Sequence, residues 1–174
     1  YLPPIDVAKI PANPPTGGWD ALDGMEGSKV NVPGTVEEYF WSANGNPNGT
    51  AGDYRGVSWW SRPFAVDAAL NGKRITLSFE SANLRAEVYV NRVLVGYDVV
   101  GNTPFEADIS GAVRYGGENR LDVRITDPGG TFSWSDENLI FWGRNRVPSV
   151  HGFGGITGRV ALRATDAVYV RDIY

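Results

Sequence analysis

The stretch Arg74–Ser81, R-I-T-L-S-F-E-S, alternates Ile75, Leu77 and Phe79 with Thr76, Ser78 and Glu80. Successive side chains of an extended chain point to opposite faces, so this order makes one apolar face and one polar face. The same period returns at Ala86–Val90, where Ala86, Val88 and Val90 oppose Glu87 and Tyr89. It returns again at Leu121–Ile125, with Leu121, Val123 and Ile125 against Asp122 and Arg124. Gly158–Arg163 sets Val160 and Leu162 on one side, and Ala167–Ile173 ends the chain in the same style. Lys29–Val32 is a shorter candidate strand. No segment carries a long helical period. Short strands divided by turns predict an all-β antiparallel sandwich or barrel, with one face of each sheet buried and the other wet.

Trp59 and Trp60 are adjacent and therefore point to opposite faces of a strand. Trp60 shares its side with Phe64 and Val66, which marks the core side. Pro63 cannot donate to a ladder, so this run is expected at a sheet edge or a strand start.

Composition fits a turn-rich β domain. The 174 residues include 22 Gly and 11 Pro, short of the ~25–30% typical of low complexity. Cysteine is absent, which removes disulfides, thiolate metal sites and cysteine nucleophiles without deciding the compartment. Net charge is −4 and the 16 Lys and Arg are scattered, so nucleic acid is not an expected partner. No apolar run has the ~18 residues of a membrane span. The chain starts Y-L-P-P without Met, as expected of a processed product or a piece of a longer protein. A single domain is expected, with residues 1–28 an irregular lead-in and 29–174 the sandwich.

Six segments in order carry a resemblance. They are N-V-P-G-T-V (31–36), Y-R-G-V-S-W-W-S-R-P-F-A-V (54–66), G-K-R-I-T-L-S-F-E-S-A (72–82) running into A-E-V-Y-V-N-R-V-L-V-G (86–96), T-P-F-E-A-D-I-S (103–110), G-G-E-N-R-L-D-V-R-I (116–125) and G-G-I-T-G-R-V-A-L (154–162). Together they resemble the N-terminal sugar-binding domain of glycoside hydrolase family 2, the β-galactosidases, β-glucuronidases and β-mannosidases. The resemblance implies a jelly-roll β-sandwich of the galactose-binding type. One departure is visible: the family usually has Asn-Gly where this chain has Asn91-Arg92. Arg disfavours the positive φ of a type I′ turn, so a longer or different turn is expected there.

Enzymes of that family use two carboxylates ~5–5.5 Å apart. The resemblance locates them in a (β/α)₈ barrel that takes about 250 residues and that this chain has no room for. It therefore implies a non-catalytic accessory domain of a larger hydrolase. The expected partners are a β-linked carbohydrate and the catalytic barrel of the same polypeptide. No cofactor or metal is expected. His151 is the only histidine and no G-x-S-x-G elbow exists, so a hydrolytic triad is not the reading.

The aromatic connection Phe132–Gly143, F-S-W-S-D-E-N-L-I-F-W-G, bears on the site. In some β-galactosidases the Asp of a Trp-Ser-Asp in this connection reaches the sugar. By resemblance Asp136 and Trp134 are candidate sugar contacts. A carboxylate accepts bonds from sugar hydroxyls, and an aromatic ring stacks on the C–H face of a pyranose. Phe132, Phe141 and Trp142 read as core or interface, and Arg144 and Arg146 as solvated loop. The Asn-rich loop Asn44–Asp53 adds Asn44 and Asn46, with Asn48, as further candidates, although Asn is also an ordinary turn residue. Two other readings stand beside this one. The chain is alternatively an autonomous carbohydrate-binding module using exposed Trp59, Trp134 and Trp142, or a structural interdomain or oligomerisation domain.

Overall fold

The computed structural model describes residues 6–39, 56–127 and 154–170. In chain order come a 3₁₀ turn at Val7–Lys9, α1 (Trp19–Asp23), β1 (Gly34–Thr35) and α2 (Val36–Tyr39). Then follow β2 (Gly56–Val66), a 3₁₀ turn at Ala68–Leu70, β3 (Arg74–Phe79), β4 (Arg85–Val90) and β5 (Val93–Asp98). β6 (Phe105–Asp108), β7 (Gly117–Asp127), β8 (Gly155–Ile156) and β9 (Val160–Thr165) complete the set. One sheet has the order β2-β7-β4-β5, the other β6-β3-β9, and β1 pairs with β8. Every strand pairing named here is antiparallel. The two larger sheets form an all-β sandwich, as the alternating pattern predicts.

The core is drawn from that pattern, with the exception of Leu162, which is 40% exposed on the edge strand β9. Ile75, Leu77 and Phe79 of β3 cluster with Ala86, Val88 and Val90 of β4, and with Val123 and Ile125 of β7. Each such large side chain removed from water contributes about 1.5–3 kcal/mol before entropy is counted. Phe79 stacks on Phe105 at 4.6 Å. Trp60 and Phe64 pack on this core, and Val66 is within it. β2 pairs only with β7 among the described residues, so Pro63 does sit in an edge strand.

Two candidate strands are not strands. Residues 29–32 have no ladder, and the short pairing falls two residues later, at Gly34–Thr35. Residues 167–170 are irregular, and 171–173 lie outside the described residues. At residues 29–32 and 167–170 the period-two window finds no partner strand among the described residues.

The expected wet face of the larger sheet is also overturned. All six residues of β4 are buried, including Arg85, Glu87 and Tyr89 on the face away from the core. Asp122 and Thr126 of β7 are buried on the same side. The cause is the N-terminal segment, which lies across that face. Asn13 donates its side-chain amide to Glu87 Oε1 at 2.6 Å and its backbone N–H to the Tyr89 hydroxyl at 2.8 Å. The Trp19 ring meets Tyr89 at 5.2 Å and Trp59 at 5.7 Å, edge-on in both cases. Glu87 is held between Arg85 and Arg124, the latter at 3.0 Å. A buried carboxylate needs such partners, because one left bare would cost several kcal/mol.

The Asn91-Arg92 hairpin corrects the turn expectation. Both residues have positive φ, 50° and 71°, and Val90 pairs directly with Val93. This is a tight two-residue turn after all. The strain at Arg92 is offset locally: its guanidinium donates to Asp23 at 2.8 Å and to Asp20 at 3.4 Å. Asn91 donates its side-chain N–H to the Ala112 carbonyl and to Asn119 Oδ1, both at 2.8 Å.

Candidate functional site

Asp136, Trp134, Asn44 and Asn46 all lie outside the described residues, as do Asn48, Phe132, Trp142, Arg144, Arg146 and His151. The roots of the two segments that carry them are described, and their placement is informative. The first segment, 40–55, leaves from α2 and returns at Gly56. The second, 128–153, leaves after Asp127 and returns at Gly154.

These four roots converge on one end of the sandwich. Gly56 pairs with Asp127 in the β2–β7 ladder. The Val36 N–H donates to the Gly154 carbonyl at 2.8 Å, and Thr35 pairs with Gly155. The Gly154 N–H donates to Glu37 Oε1 at 3.4 Å. A Cβ on Gly154 would stand 3.0 Å from Asp127 Oδ2, so glycine is what lets the two ends of segment 128–153 close up.

Local sequence explains the arrangement. α2 is a single turn that cannot hold itself by propagation. Its Glu38 reaches back to accept the Thr35 N–H at 2.9 Å, the returning half of a capping box. The T-V-E-E of residues 35–38 carries that signal, which the strand-oriented reading passed over. Glu37 and Asp127, 6% and 1% exposed, were missed too. Asp127 ends a period-two run, and nothing in its own neighbourhood distinguishes it from a solvated turn residue.

The rest of this end is knitted by backbone bonds and small polar groups. Asn83 and Gly155 exchange N–H···O bonds of 2.9 and 2.8 Å, and Ser81 Oγ lies 2.8 Å from Thr157 Oγ1. Asp98 is buried beside them and accepts the Gly101 N–H at 3.3 Å. Burial raises its carboxyl pKa above the ordinary aspartate range, against the backbone N–H bonds of residues 99–101. Among the described residues no group of three His, Cys, Asp or Glu could hold a metal ion. A shallow pocket between Val66–Ala68 and Gly116–Glu118 lies at the opposite end of the sandwich.

Trp59, a candidate exposed sugar platform, is spoken for. It points away from the core as expected, but its ring packs against Trp19 and lies 5.8 Å from Tyr89. That packing anchors the N-terminal segment and takes Trp59 out of the set of free aromatic surfaces.

The family model for the sugar-binding domain of family 2 glycosyl hydrolases matches residues 6–162. A β-galactosidase of Thermoanaerobacter pseudethanolicus is 34% identical over 123 residues, covering 70% of this chain and 16% of the relative. A β-glucuronidase of Formosa agariphila is 27% identical over 135 residues, covering 78% and 14%. The crystal structure of a family 2 glycosyl hydrolase from Bacteroides cellulosilyticus superposes with a TM-score of 0.60 at 29% identity, covering 79% of this chain and 16% of the other. A β-D-glucuronidase structure from Dictyoglomus thermophilum gives 0.62 at 26% identity, covering 82% and 25%. This chain thus spans about a sixth of the length of the first of these relatives.

Proposed function

Because this chain belongs to the sugar-binding domain family of the family 2 glycosyl hydrolases, we propose that it is the non-catalytic accessory domain of a longer β-glycosidase. The observation that carries the reading is the small fraction, 14–16%, of the two relatives that it matches. The catalytic carboxylate pair then belongs to a barrel elsewhere in the parent polypeptide, which hydrolyses an O-glycosyl bond. This chain packs against that barrel and lends an edge to its carbohydrate pocket.

The convergence of the four roots supports the edge. The described residues that flank segments 40–55 and 128–153, which carry Asn44, Asn46, Trp134 and Asp136, lie at the same end of the sandwich. Asp136 is the proposed acceptor for sugar hydroxyls and Trp134 the proposed stacking face, with Asn44 and Asn46 as further contacts. An edge completes a pocket only when its other walls are present. The domain alone therefore has weak or no affinity for free sugar.

The test is hydrolysis of p-nitrophenyl β-galactoside, β-glucuronide and β-mannoside by the full-length parent, with an Asp136→Ala variant. One of the three should be cleaved, and the variant should lose roughly 10–150-fold in kcat/KM, the worth of ~1.5–3 kcal/mol for a hydrogen bond to a charged group. Titration calorimetry of the 174-residue chain with the matching monosaccharide should show no heat of binding below millimolar concentrations. Tight binding by the chain alone would replace this reading with an autonomous carbohydrate-binding module.

A further inference from the structure

We propose that α1 is a displaceable cover over a second carbohydrate-binding face, whose ligand is a carboxylated pyranose, the uronate unit of an oligosaccharide. The face is the outer side of β2, β7 and β4 at the hairpin end of the sheet. Arg92 follows Val90, which pairs with Leu121, whereas Gly56 pairs with Asp127 at the other end, beside the candidate sugar contacts. Sugar as the ligand class rests on the family membership given above. The cover and the face rest on geometry.

The cover is lightly held. No residue of α1 is buried, and its N-cap, Gly18, makes no side-chain bond. Glycines flank it, with Gly17 and Gly18 at φ 86° and 89° before it, and Gly24 and Gly27 after it. Two ring contacts of Trp19 hold it, together with the ion pairs of Asp20 and Asp23 to Arg92 and Arg120. The two arginine side chains are 50% and 38% exposed, and exposed ion pairs contribute little. Asn13 lies on the far side of Gly17, so its bonds to Glu87 and Tyr89 stay made when α1 swings out.

What α1 presents to the face is a flat apolar body beside a carboxylate. Trp19 and Asp23 are four residues apart, so they share one side of the helical turn. The Trp19 ring meets Trp59 and Tyr89, which lie 5.8 Å from each other. The Asp23 carboxylate meets Arg92 at 2.8 Å and Arg120. A uronate has the same outline: its C–H face stacks on an aromatic ring, and its carboxylate takes a guanidinium fork. Asp122 adds an unmet acceptor. It is fully buried on this face between Ser61 and Tyr89, and its Oδ2 accepts no hydrogen bond among the described residues. Such an acceptor is unfavourable until a donor arrives, and a sugar hydroxyl is one. Both ion pairs of Arg92 are with α1, so a neutral sugar that displaced α1 would leave Arg92 without an acid.

The test is calorimetric titration of the 174-residue chain with trigalacturonate and with neutral galactotriose. A ligand that needs the open state binds with an affinity reduced by the fraction that is open. The wild type should therefore bind trigalacturonate only at millimolar concentrations, and Asp23→Asn and Trp19→Ala should bind it roughly 2–10-fold more tightly. Adding Arg92→Gln to Trp19→Ala should weaken binding roughly 10-fold or more, and galactotriose should bind no better than that. Asp23→Asn leaves the ring contacts intact, so the Arg92→Gln comparison is made on it if Trp19→Ala unfolds. In the wild type, saturating trigalacturonate should speed amide exchange in residues 19–24.

No binding by any variant, equal affinity of the wild type and the loosened variants, or binding that ignores Arg92→Gln would overturn the proposal. Binding with exchange in α1 unchanged would overturn the cover. The accessory-domain reading is decided separately, by hydrolysis in the parent, because Arg92 lies at the end of the sandwich away from the candidate contacts.

Discussion

Tyr89 carries several of the fold's features in one side chain. It is 1% exposed on the outer face of its sheet, and its hydroxyl accepts the Asn13 N–H at 2.8 Å. Burial, with the Glu87 carboxylate adding to it, pushes its pKa up to about 12. An unfolded tyrosine titrates near ~10. A folded-state pKa raised above that leaves its contribution to stability whole at lower pH, and that contribution is lost as pH rises from about 10 through about 12. Phenolate absorbance should therefore contain a late-titrating tyrosine step that is lost in Tyr89→Phe, with a flatter alkaline unfolding curve. Gly158 is a second decisive residue. A Cβ there would stand 2.5 Å from the Ser81 nitrogen and 2.6 Å from Glu80 Cβ. Gly158→Ala is expected to cost about 1–3 kcal/mol in urea unfolding, the usual range for overpacking. Gly27, with nothing within 4 Å of its added Cβ, is the control and should change little.

Among the elements, the N-terminal segment does the most that local sequence conceals. Its α1 is five residues long and has no side-chain cap, so its stability comes from packing. Trp19 supplies that packing against Trp59 and Tyr89. Asp23, paired with Arg92 and Arg120, fastens the same turn to the β4–β5 hairpin and to β7. Trp19→Ala should destabilise the domain by roughly 2–4 kcal/mol, from lost area and two lost aromatic contacts. It should also bring the Tyr89 titration back toward the ordinary range, because water then reaches the phenol. A loss of stability with the Tyr89 titration unmoved would mean that Trp19 does not shield it. The Asn91-Arg92 turn depends on the same segment, since the acids that offset its strain are Asp20 and Asp23.

At the scale of the molecule, cover is uneven. β4 lies between β7 and β5, with the core on one face and the N-terminal segment on the other. β9 pairs only with β3 among the described residues, and four of its six residues are exposed. Opening free energies follow such differences in cover. Hydrogen exchange should find its slowest amides in β4 and the facing half of β7, and the fastest strand amides in β9. Equal protection of β9 and β4 in the isolated chain would contradict this ranking.

The sequence by itself determined the sheets and their core faces. Period two at Ile75–Phe79, Ala86–Val90 and Leu121–Ile125 is a local consequence of extended backbone, so it survives in the one-dimensional pattern. It also determined the family, because six ordered segments record one shared set of turns and strands. The candidate contacts Asn44, Asn46, Trp134 and Asp136 were legible only through that resemblance. Tertiary structure alone decided what covers the outer face, since Glu87, Tyr89 and Arg124 read locally as a wet side until Asn13 and Trp19 arrive from about seventy residues away. It decided that Arg92 could occupy a tight turn, because the offsetting acids are equally remote in sequence. It also decided that Glu37, Asp127 and Gly154 meet, a contact spanning 117 positions between its ends. Alternation is written in neighbours, whereas burial of a charge depends on which distant segment pays for its desolvation.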